Sequence, residues 1–274
     1  MTTQDHIERL WTLIRGVFTP EPGLGRIALA LSFGLVVHMI FALAVIAMVV
    51  AMFFGMSKSL GAVPYPYAIA VNAALVLQFP IAHSLLLSSR GMRFLSKLVP
   101  GRHGGTLSST TFAIIASIQL FLLFALWTPS GIVWWRADGW AFWTLCGAYG
   151  ASWLLLMKAS WDAGAEVQAG ALGWMTLMKN SKLRFPDMPT RGLFRVIRQP
   201  IYLSFALTLW LVPVWTPDQL ALAIVLTAYC LVAPKLKERR FEKRYGARFR
   251  QYKHDVPYMV PGLNGERRDE AQTQ

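Results

Sequence analysis

Long apolar runs separated by short polar loops dominate the hydrophobic pattern of this 274-residue chain. A transmembrane helix needs roughly 20 consecutive apolar residues, and six segments approach or exceed that length. Pro213 and Pro217 separate the last two segments, which are short, and we predict that these form a helical hairpin whose full crossing the sequence leaves open. The pattern predicts an all-α fold, a polytopic transmembrane helical bundle of five to six spans with cytoplasmic helical segments. The six segments lie near Ile27–Phe54, Pro64–Leu87, Thr106–Trp127, Trp140–Met157, Ile201–Val214 and Gln219–Ala233.

The segment before the first span has a different hydrophobic periodicity. Apolar residues recur there at helical spacing, with Arg9 and Arg15 turned away from them. This pattern predicts an amphipathic helix that lies on the inner membrane surface. The apolar residues are Ile7, Leu10, Trp11, Ile14, Val17 and Phe18.

The net charge of +13 is concentrated in alternate loops. Basic residues precede the first span, follow the second and follow the fourth, which is the positive-inside pattern of membrane proteins. We therefore predict a protein of the bacterial inner membrane with cytoplasmic termini and an external loop over Trp127–Trp140. We expect the positive charge to interact with anionic lipid headgroups and not with nucleic acid. The residues are Arg9, Arg15 and Arg26, then Arg90, Arg93, Lys97 and Arg102, then Lys179, Lys182, Arg184, Arg191, Arg195 and Arg198.

Polarity divides the chain into four predicted parts. Residues 1–26 form the interfacial segment, and residues 27–157 form a four-span membrane bundle. Residues 158–262 carry most of the polar chemistry, with the hairpin and a basic tail. Residues 263–274 are rich in charge and are predicted to be disordered.

Two histidines in the front part are candidates for chemistry. His83 shares the second span with Asn72 and Gln78, and such polarity is expected to face the interior of the bundle. We favour a hydrogen bond from His83 to a neighbouring helix, while a substrate-pocket role stays open. His38 and His83 also form a possible axial pair for a buried haem. The two cysteines, Cys146 and Cys230, fall in predicted spans and suggest packing, so no metal site is predicted.

Acidic residues are scarce, which draws attention to two that fall close together. Asp162 and Glu166 lie in a segment rich in small residues and would share one face of a helix. Small residues allow close helix packing, which we favour as the setting of Glu166. The role of Asp162 stays open between packing and a site at the membrane surface.

The segment Arg198–Tyr202 marks the point where a basic stretch turns into an apolar helix. Proline at the first helical position and the amides after it favour an anionic ligand, although a simple membrane-entry signal fits the pentapeptide alone. Glu238 follows the predicted hairpin at the same membrane level. A carboxylate facing a helix amino end suits a zwitterionic ligand.

Aromatic residues after Glu238 fall on one helical stripe, which Gly246 is expected to interrupt or bend. A basic helix with such a stripe is usually bound to a surface. The stripe consists of Phe241, Tyr245, Phe249 and Tyr252.

The segments Gly192–Leu203, Lys237–Arg239 and Tyr245–Tyr252, with Val256–Pro257, resemble the isoprenylcysteine carboxyl methyltransferase superfamily. That superfamily has an Arg-His-Pro-x-Tyr helix start, a Glu-Glu pair and a Phe-Gly-x-x-Tyr-x-x-Tyr tail. Within it, Ala82-His83-Ser84 and the basic loop that follows are similar to bacterial methanethiol S-methyltransferases. This chain departs from the pattern at Gln199, where the family has histidine, and at Lys237, where it has the first glutamate.

The resemblance implies methyl transfer from S-adenosylmethionine to a small apolar thiol, such as methanethiol giving dimethyl sulfide. Displacement at a sulfonium methyl needs alignment and exclusion of water, and no metal. Asp162 or His83 is a candidate to accept the thiol proton, and nearby arginines, Arg195 among them, favour the thiolate. Only Asp162 matches the His-Phe-Asp-Leu-Phe-Gly segment of the methanethiol enzymes. The implied cofactor contacts are Gly192, Arg198, Gln199, Pro200, Tyr202, Leu203 and Glu238.

Three alternatives stay open from the sequence. The acceptor of the methyl group is a prenylated or lipid-like molecule in the first. In the second, the front part resembles the nitrite-reduction-associated membrane family that includes haem-bearing zeta-carotene isomerases. In the third, the protein is a non-enzymatic membrane scaffold.

Overall fold

Eleven α-helices make up nearly all of the regular structure in the computed structural model, which describes residues 3–99 and 101–262. Two 3₁₀ turns, Gly101–His103 and Gly192–Arg195, and two short strands, β1 (Trp135–Arg136) and β2 (Val214–Trp215), complete it. The segment 263–274, which the sequence predicts to be disordered, lies outside the described residues. The helices are α1 (Thr3–Phe18), α2 (Leu24–Phe53), α3 (Tyr67–Leu86), α4 (Ser89–Lys97), α5 (Gly104–Leu126), α6 (Gly139–Asp162), α7 (Ala165–Gln168), α8 (Ala171–Met178), α9 (Pro200–Trp210), α10 (Pro217–Tyr245) and α11 (Ala247–Asp255).

Four helical segments of the described chain are long and apolar enough to cross a membrane. They are Leu24–Phe53, Tyr67–Leu86, Gly101–Leu126 and Pro217–Tyr245. The predicted all-α class and polytopic membrane architecture are confirmed. The other two predicted spans form helices as well: α6 has 24 residues but also carries Lys158 and Asp162, and α9 is an apolar helix of 11 residues.

The predicted hairpin differs from the observed one in its second helix. The apolar run ends at Ala233, but α10 continues through Pro234 to Tyr245 and is 29 residues long. The residues after Pro234 are good helix formers, and the next glycine is Gly246, so local propensity carries the helix onward. Glu238 therefore lies inside α10 and not after it, which corrects the prediction.

The helices group into two compact units. The first unit contains the described residues of Met1–Arg136, Gly164–Asp187 and Val214–Leu220, and the second contains those of Ala137–Ala163, Met188–Pro213 and Ala221–Gln274. The units follow spatial contacts and not sequence order. The four-part division predicted from the sequence stays a prediction.

In the first unit, α2, α5 and α8 pack around a common core. Ala30, Leu107 and Leu177 are buried in one cluster. Gly34 allows α2 to approach α8, because a Cβ at this position would lie 2.9 Å from the Trp174 ring. The core is thus built from close helix contacts of the kind that small residues permit in membranes.

Helix α1 belongs to the first unit and is amphipathic, as the sequence indicates. Leu13 is buried against Leu172 and Met175, while Trp11 and Phe18 are exposed. Arg9 does not turn away, which corrects that part of the prediction.

Arg9 forms an ion pair with Glu166, whose side chain is 1% exposed. A buried carboxylate requires such a partner. Helix α6 ends at Asp162, and Gly164 has a φ of 102°. Asp162 and Glu166 consequently do not share a continuous helical face.

A small antiparallel ladder joins the loop after α5 to the segment before α10 in the first unit. Trp135 pairs with Trp215, and Arg136 pairs with Val214. The Asp218 carboxylate accepts hydrogen bonds from Trp127 Nε1 at 3.0 Å, and from the Ser130 amide and hydroxyl at 2.9 and 2.6 Å. These bonds fix the start of α10.

The second unit contains α6, α9, most of α10, and α11. Helix α6 packs against α9 and against the 3₁₀ turn Gly192–Arg195. Gly246, with a φ of 54°, separates α10 from α11, as the sequence predicts. Because that break redirects the chain, α11 and the segment after it return to the start of α9.

Candidate functional site

The start of α9 is bonded to the C-terminal segment of the described chain. The amides of Arg198 and Gln199 donate to the carbonyl oxygens of Pro257 and Tyr258 at 2.9 and 3.2 Å. Pro200 follows as the first helical residue and has no amide hydrogen to satisfy. The backbone at this helix entry is therefore fixed by residues more than fifty positions away.

Arg198 connects three parts of the second unit. Its Nε donates to Glu238 Oε1 at 3.0 Å, and its Nη1 donates to the carbonyl oxygens of Lys253 and Val256, each at 2.6 Å. The guanidinium carbon lies 5.5 Å from the centre of the Tyr258 ring. These contacts describe a positioning residue that ties α9 to α10 and to the end of α11.

Gln199 presents a buried hydrogen-bond acceptor at the start of α9. Its Nε2 donates to Glu238 Oε1 at 2.7 Å. A carboxylate only accepts hydrogen bonds, so the amide nitrogen must face it and Oε1 must face the other way. Gln199 is 2% exposed, and its Oε1 has no hydrogen-bond partner among the described residues. A buried acceptor of this kind is an expected contact for a ligand donor.

Gln199 and Glu238 line a small cavity of about 10 Å³ in the second unit. Aromatic side chains form much of its wall. Phe249 meets Phe241 edge to face, with ring centres 5.9 Å apart, and Tyr252 lies 6.2 Å from Phe249. The complete lining is Pro189, Phe194, Arg198, Gln199, Lys237, Glu238, Phe241, Phe249 and Tyr252.

Tyr252 joins this wall to the 3₁₀ turn before α9. Its hydroxyl donates to the Phe194 carbonyl oxygen at 2.6 Å. Burial raises the pKa of Tyr252 above its ordinary value, and the Glu238 charge adds to that rise while Arg198 opposes it. The phenol therefore keeps its proton and its hydrogen bond throughout the physiological pH range.

Lys237 contributes a cation to the cavity wall. Its Nζ lies 5.5 Å from the ring centre of Phe194, 5.9 Å from that of Tyr202 and 5.5 Å from that of Phe241. The three rings come from three different elements, the 3₁₀ turn, α9 and α10. They converge on one ammonium group.

Asp162 holds the 3₁₀ turn that carries Phe194. Its Oδ2 accepts the Leu193 amide at 2.9 Å and the Lys158 ammonium at 2.6 Å. Gly192 has a φ of 55°, and a Cβ at this position would collide with the Asp162 carboxylate. Asp162 and Gly192 thus shape the turn from outside the set of lining residues.

The remaining predicted site residues have different settings. Arg195 is exposed at the end of the 3₁₀ turn, and Leu203 is half-buried and donates its amide to the Gln199 carbonyl oxygen at 3.1 Å. His83 belongs to the first unit, where its ring lies 5.0 Å from that of Phe79 and 4.9 Å from that of Phe112. The second unit therefore brings together Arg198, Gln199, Tyr202 and Glu238, with Pro200 buried at the helix start.

The other candidate histidine has a partner of its own. His38 Nε2 accepts a hydrogen bond from Trp174 Nε1 at 3.2 Å, and the two rings meet edge to face. Within residues 3–99 and 101–262, three or more His, Cys, Asp or Glu side chains do not cluster in a way that would hold a metal ion.

The cofactor contacts predicted from the sequence omit several lining residues, although the sequence predicts that the cofactor lies beneath Glu238 and the aromatic tail as a whole. Phe249 and Tyr252 belong to the stripe that suggests a surface helix, yet Phe249 is 1% exposed. Phe194 lies in the quoted segment, and Lys237 attracts notice only as a departure from the family pattern. An aromatic stripe on a surface helix and one that lines a cavity have the same spacing, so only the return of α11 separates them.

Comparison with known proteins identifies relatives of one kind along most of the chain. It is 29% identical over 201 residues to methanethiol S-methyltransferase 2 of Bradyrhizobium diazoefficiens, covering 73% of this chain and 76% of that protein. It is 26% identical over 204 residues to methanethiol S-methyltransferase of Mycobacterium tuberculosis, covering 73% and 81%. The resemblance to this group of proteins is confirmed.

A second kind of relative has a name that states no activity. The chain is 27% identical over 181 residues to nurim of Rattus norvegicus, covering 63% of this chain and 67% of that protein. No protein-family model and no solved structure matches the chain.

Proposed function

We propose that this chain is an S-adenosylmethionine-dependent membrane methyltransferase that methylates a small thiol, such as methanethiol to dimethyl sulfide. The observation that carries the proposal is the unpartnered, buried Oε1 of Gln199 beside the Glu238 carboxylate in an aromatic cavity. The similarity to methanethiol S-methyltransferases supports it.

The residues of the cavity fit the chemistry of the donor. S-Adenosylmethionine carries an ammonium group, and Gln199 Oε1 and Glu238 are acceptors for such a group. The aromatic wall of Phe249 and Tyr252 suits a flat purine and limits the access of water. When bound, the donor supplies a methyl group on a positively charged sulfur.

Arg198, Pro200 and Gly192 have supporting roles in this proposal. Arg198 directs Glu238 through the 3.0 Å hydrogen bond and holds the C-terminal segment through the Lys253 and Val256 carbonyls. Pro200 fixes the entry of α9, and Gly192 allows the turn that places Phe194. These residues align the site, which is the main requirement of a displacement reaction.

The acceptor side of the site rests on the predicted roles of three residues. Asp162 and His83 stay candidates to take the thiol proton, and the exposed Arg195 to favour the thiolate. Asp162 already accepts from Leu193 and Lys158, so in this proposal it acts first as a positioning residue. Tyr202, half-buried on α9, has its ring centre 5.9 Å from the Lys237 ammonium, and Leu203 stays a predicted contact.

We propose that the protein is embedded in a bacterial inner membrane with both termini in the cytoplasm. The basic loops around α4 and before α9 support this orientation, because positive residues are retained on the cytoplasmic side. The exposed Trp134, Trp135 and Trp140 suit the opposite interface. The orientation can be checked in a variant that lacks the native cysteines and carries a single new cysteine in one of these loops. A membrane-impermeant thiol reagent then shows which loops face the outside.

Methyl transfer from isotope-labelled S-adenosylmethionine tests the activity. The full chain in lipid vesicles receives methanethiol, larger thiols or a prenylated cysteine, and volatile products are trapped. We expect labelled dimethyl sulfide, and less of it from a Gln199→Leu variant. Labelled product from the prenylated compound alone would replace the thiol by a lipid-like acceptor, and no labelled product from any acceptor would contradict the proposal.

A further inference from the structure

The ammonium of Lys237 occupies a cage of three aromatic rings. Phe194, Tyr202 and Phe241 place their ring centres 5.5, 5.9 and 5.5 Å from Nζ. The negative face of an aromatic ring attracts a cation within about 6 Å, and aromatic cages of this kind recognise onium ligands. The three rings together define a cation subsite.

This subsite belongs to the cavity and not to a sealed core. Lys237, Phe194 and Phe241 line the same cavity as Gln199 and Glu238. Glu238 is the acidic residue next to Lys237 in the sequence, and its Oε1 accepts hydrogen bonds from Arg198 and Gln199. The cage rings therefore surround an ammonium whose own side chain is half-buried at the cavity wall.

The volume of the cavity adds a second argument. A cavity of about 10 Å³ holds about one water molecule and is far smaller than the roughly 300–1,000 Å³ typical of pockets for drug-sized ligands. A flexible lysine is the group in this wall that most readily vacates space, because its four-carbon stem has many rotamers. Removal of its ammonium from the cage would both enlarge the cavity and uncover a cation subsite.

We propose that Phe194, Tyr202 and Phe241 form the subsite for the sulfonium of the methyl donor, and that Lys237 is the resident cation which the donor displaces. This inference rests on the function proposed above. It deepens that function by assigning the donor's positive sulfur to named rings and a competing role to Lys237.

The proposal has a consequence for the reaction cycle. Methyl transfer forms a carbon–sulfur bond to the thiolate and breaks the bond to the donor sulfur, whose electron pair returns to it. The sulfonium becomes a neutral thioether, and the thiolate charge is consumed. The rings then attract Lys237 more strongly than the neutral product, S-adenosylhomocysteine, so return of the ammonium favours product release.

Binding of the charged donor and of its neutral product separates this role from a structural one. The dissociation constants of S-adenosylmethionine and S-adenosylhomocysteine are measured by calorimetry on the full chain in detergent. The variants are Phe241→Leu, which removes one ring, and Lys237→Met, which removes the resident ammonium. Lys235→Met is the matched control, since Lys235 is an exposed lysine on the same helix.

We expect Phe241→Leu to weaken binding of the donor by about 3- to 10-fold, and binding of the product by less than about 2-fold. Lys237→Met is expected to tighten donor binding by about 3-fold or more, because no ammonium then occupies the cage and competes with the donor sulfonium. Lys235→Met should leave both constants unchanged.

The contrary results are distinct. Equal weakening of donor and product in Phe241→Leu would make the ring a packing element only. Weaker binding of both ligands in Lys237→Met would make Lys237 a contact to their shared carboxylate, which overturns the inference while the proposed function stands. A parent protein that binds neither ligand would reject the proposed function and this inference with it.

Discussion

Replacement of Glu238 by glutamine tests the charge at the centre of the site. The Glu238 side chain is 12% exposed, and its Oε1 accepts from Arg198 Nε at 3.0 Å and from Gln199 Nε2 at 2.7 Å. Glutamine has the same shape, and its amide oxygen can accept both hydrogen bonds. The variant therefore removes the negative charge and leaves the geometry of the site in place.

The magnitude follows from the setting of that charge. Breaking a buried, hydrogen-bonded charge pair costs about 2–5 kcal/mol of binding free energy, and because both hydrogen bonds persist we expect the lower part of that range. The affinity for S-adenosylmethionine should fall by about 30- to 100-fold. Arg198 keeps its bonds to the Lys253 and Val256 carbonyls, so the fold should survive.

Glu242→Gln supplies the matched control one turn further along α10. The Glu242 side chain is 41% exposed, and its Oε1 lies 4.0 Å from Arg250 Nη1. An exposed pair of this kind contributes little. Calorimetric titration of both variants in detergent makes the comparison. Equal affinities in Glu238→Gln, Glu242→Gln and the parent would refute the reasoning that places the donor against Glu238.

Three further predictions concern neighbouring residues. Gln199→Leu should weaken binding of the methyl donor by about 10-fold or more, since it removes the Oε1 acceptor and one of the two hydrogen bonds to Glu238, leaving that from Arg198, whereas Gln199→His should stay within about 3-fold; equal losses in calorimetry would contradict this. Gly192→Ala should destabilise the fold by about 1–3 kcal/mol, because residue 192 has a positive φ and the added Cβ would collide with the Asp162 carboxylate. A thermal melt followed with a thiol-reactive dye should show a lower melting temperature. Gly105→Ala is the control, and it should leave the melting temperature unchanged because its Cβ would meet open space. Burial, with Glu238 and Tyr202 nearby, raises the pKa of Tyr258 to about 12, so its contribution to stability is complete below pH 10 and is lost as the pH rises toward 12; Tyr258→Phe should show a smaller loss over that interval.

Much of the membrane architecture could be predicted from the apolar runs. The predicted spans at Ile27–Phe54 and Thr106–Trp127 agree with α2 and α5 to within a few residues at each end, because hydrophobic length is a local property. The end of α10 could not be found in this way. Its last two turns are charged, and their helical state depends on propensity and on α11 packing rather than on hydropathy.

The candidate site, too, could be predicted only in part from the sequence. The resemblance identifies Arg198, Gln199 and Glu238 as a set, and the structure brings these residues into hydrogen-bond contact. The ring cage around Lys237 joins residues from three elements, so no single periodic pattern contains it. The ion pair of Arg9 with Glu166 likewise spans distant parts of the chain, and amphipathic spacing alone assigned Arg9 to the wrong environment.

A structure of the full chain with S-adenosylmethionine bound tests the central claim most directly. We expect the donor ammonium against Gln199 Oε1 and Glu238, the sulfonium among Phe194, Tyr202 and Phe241, and the Lys237 side chain withdrawn from those rings. A donor bound elsewhere, with Lys237 still inside the cage and Gln199 Oε1 still without a ligand contact, would contradict the account.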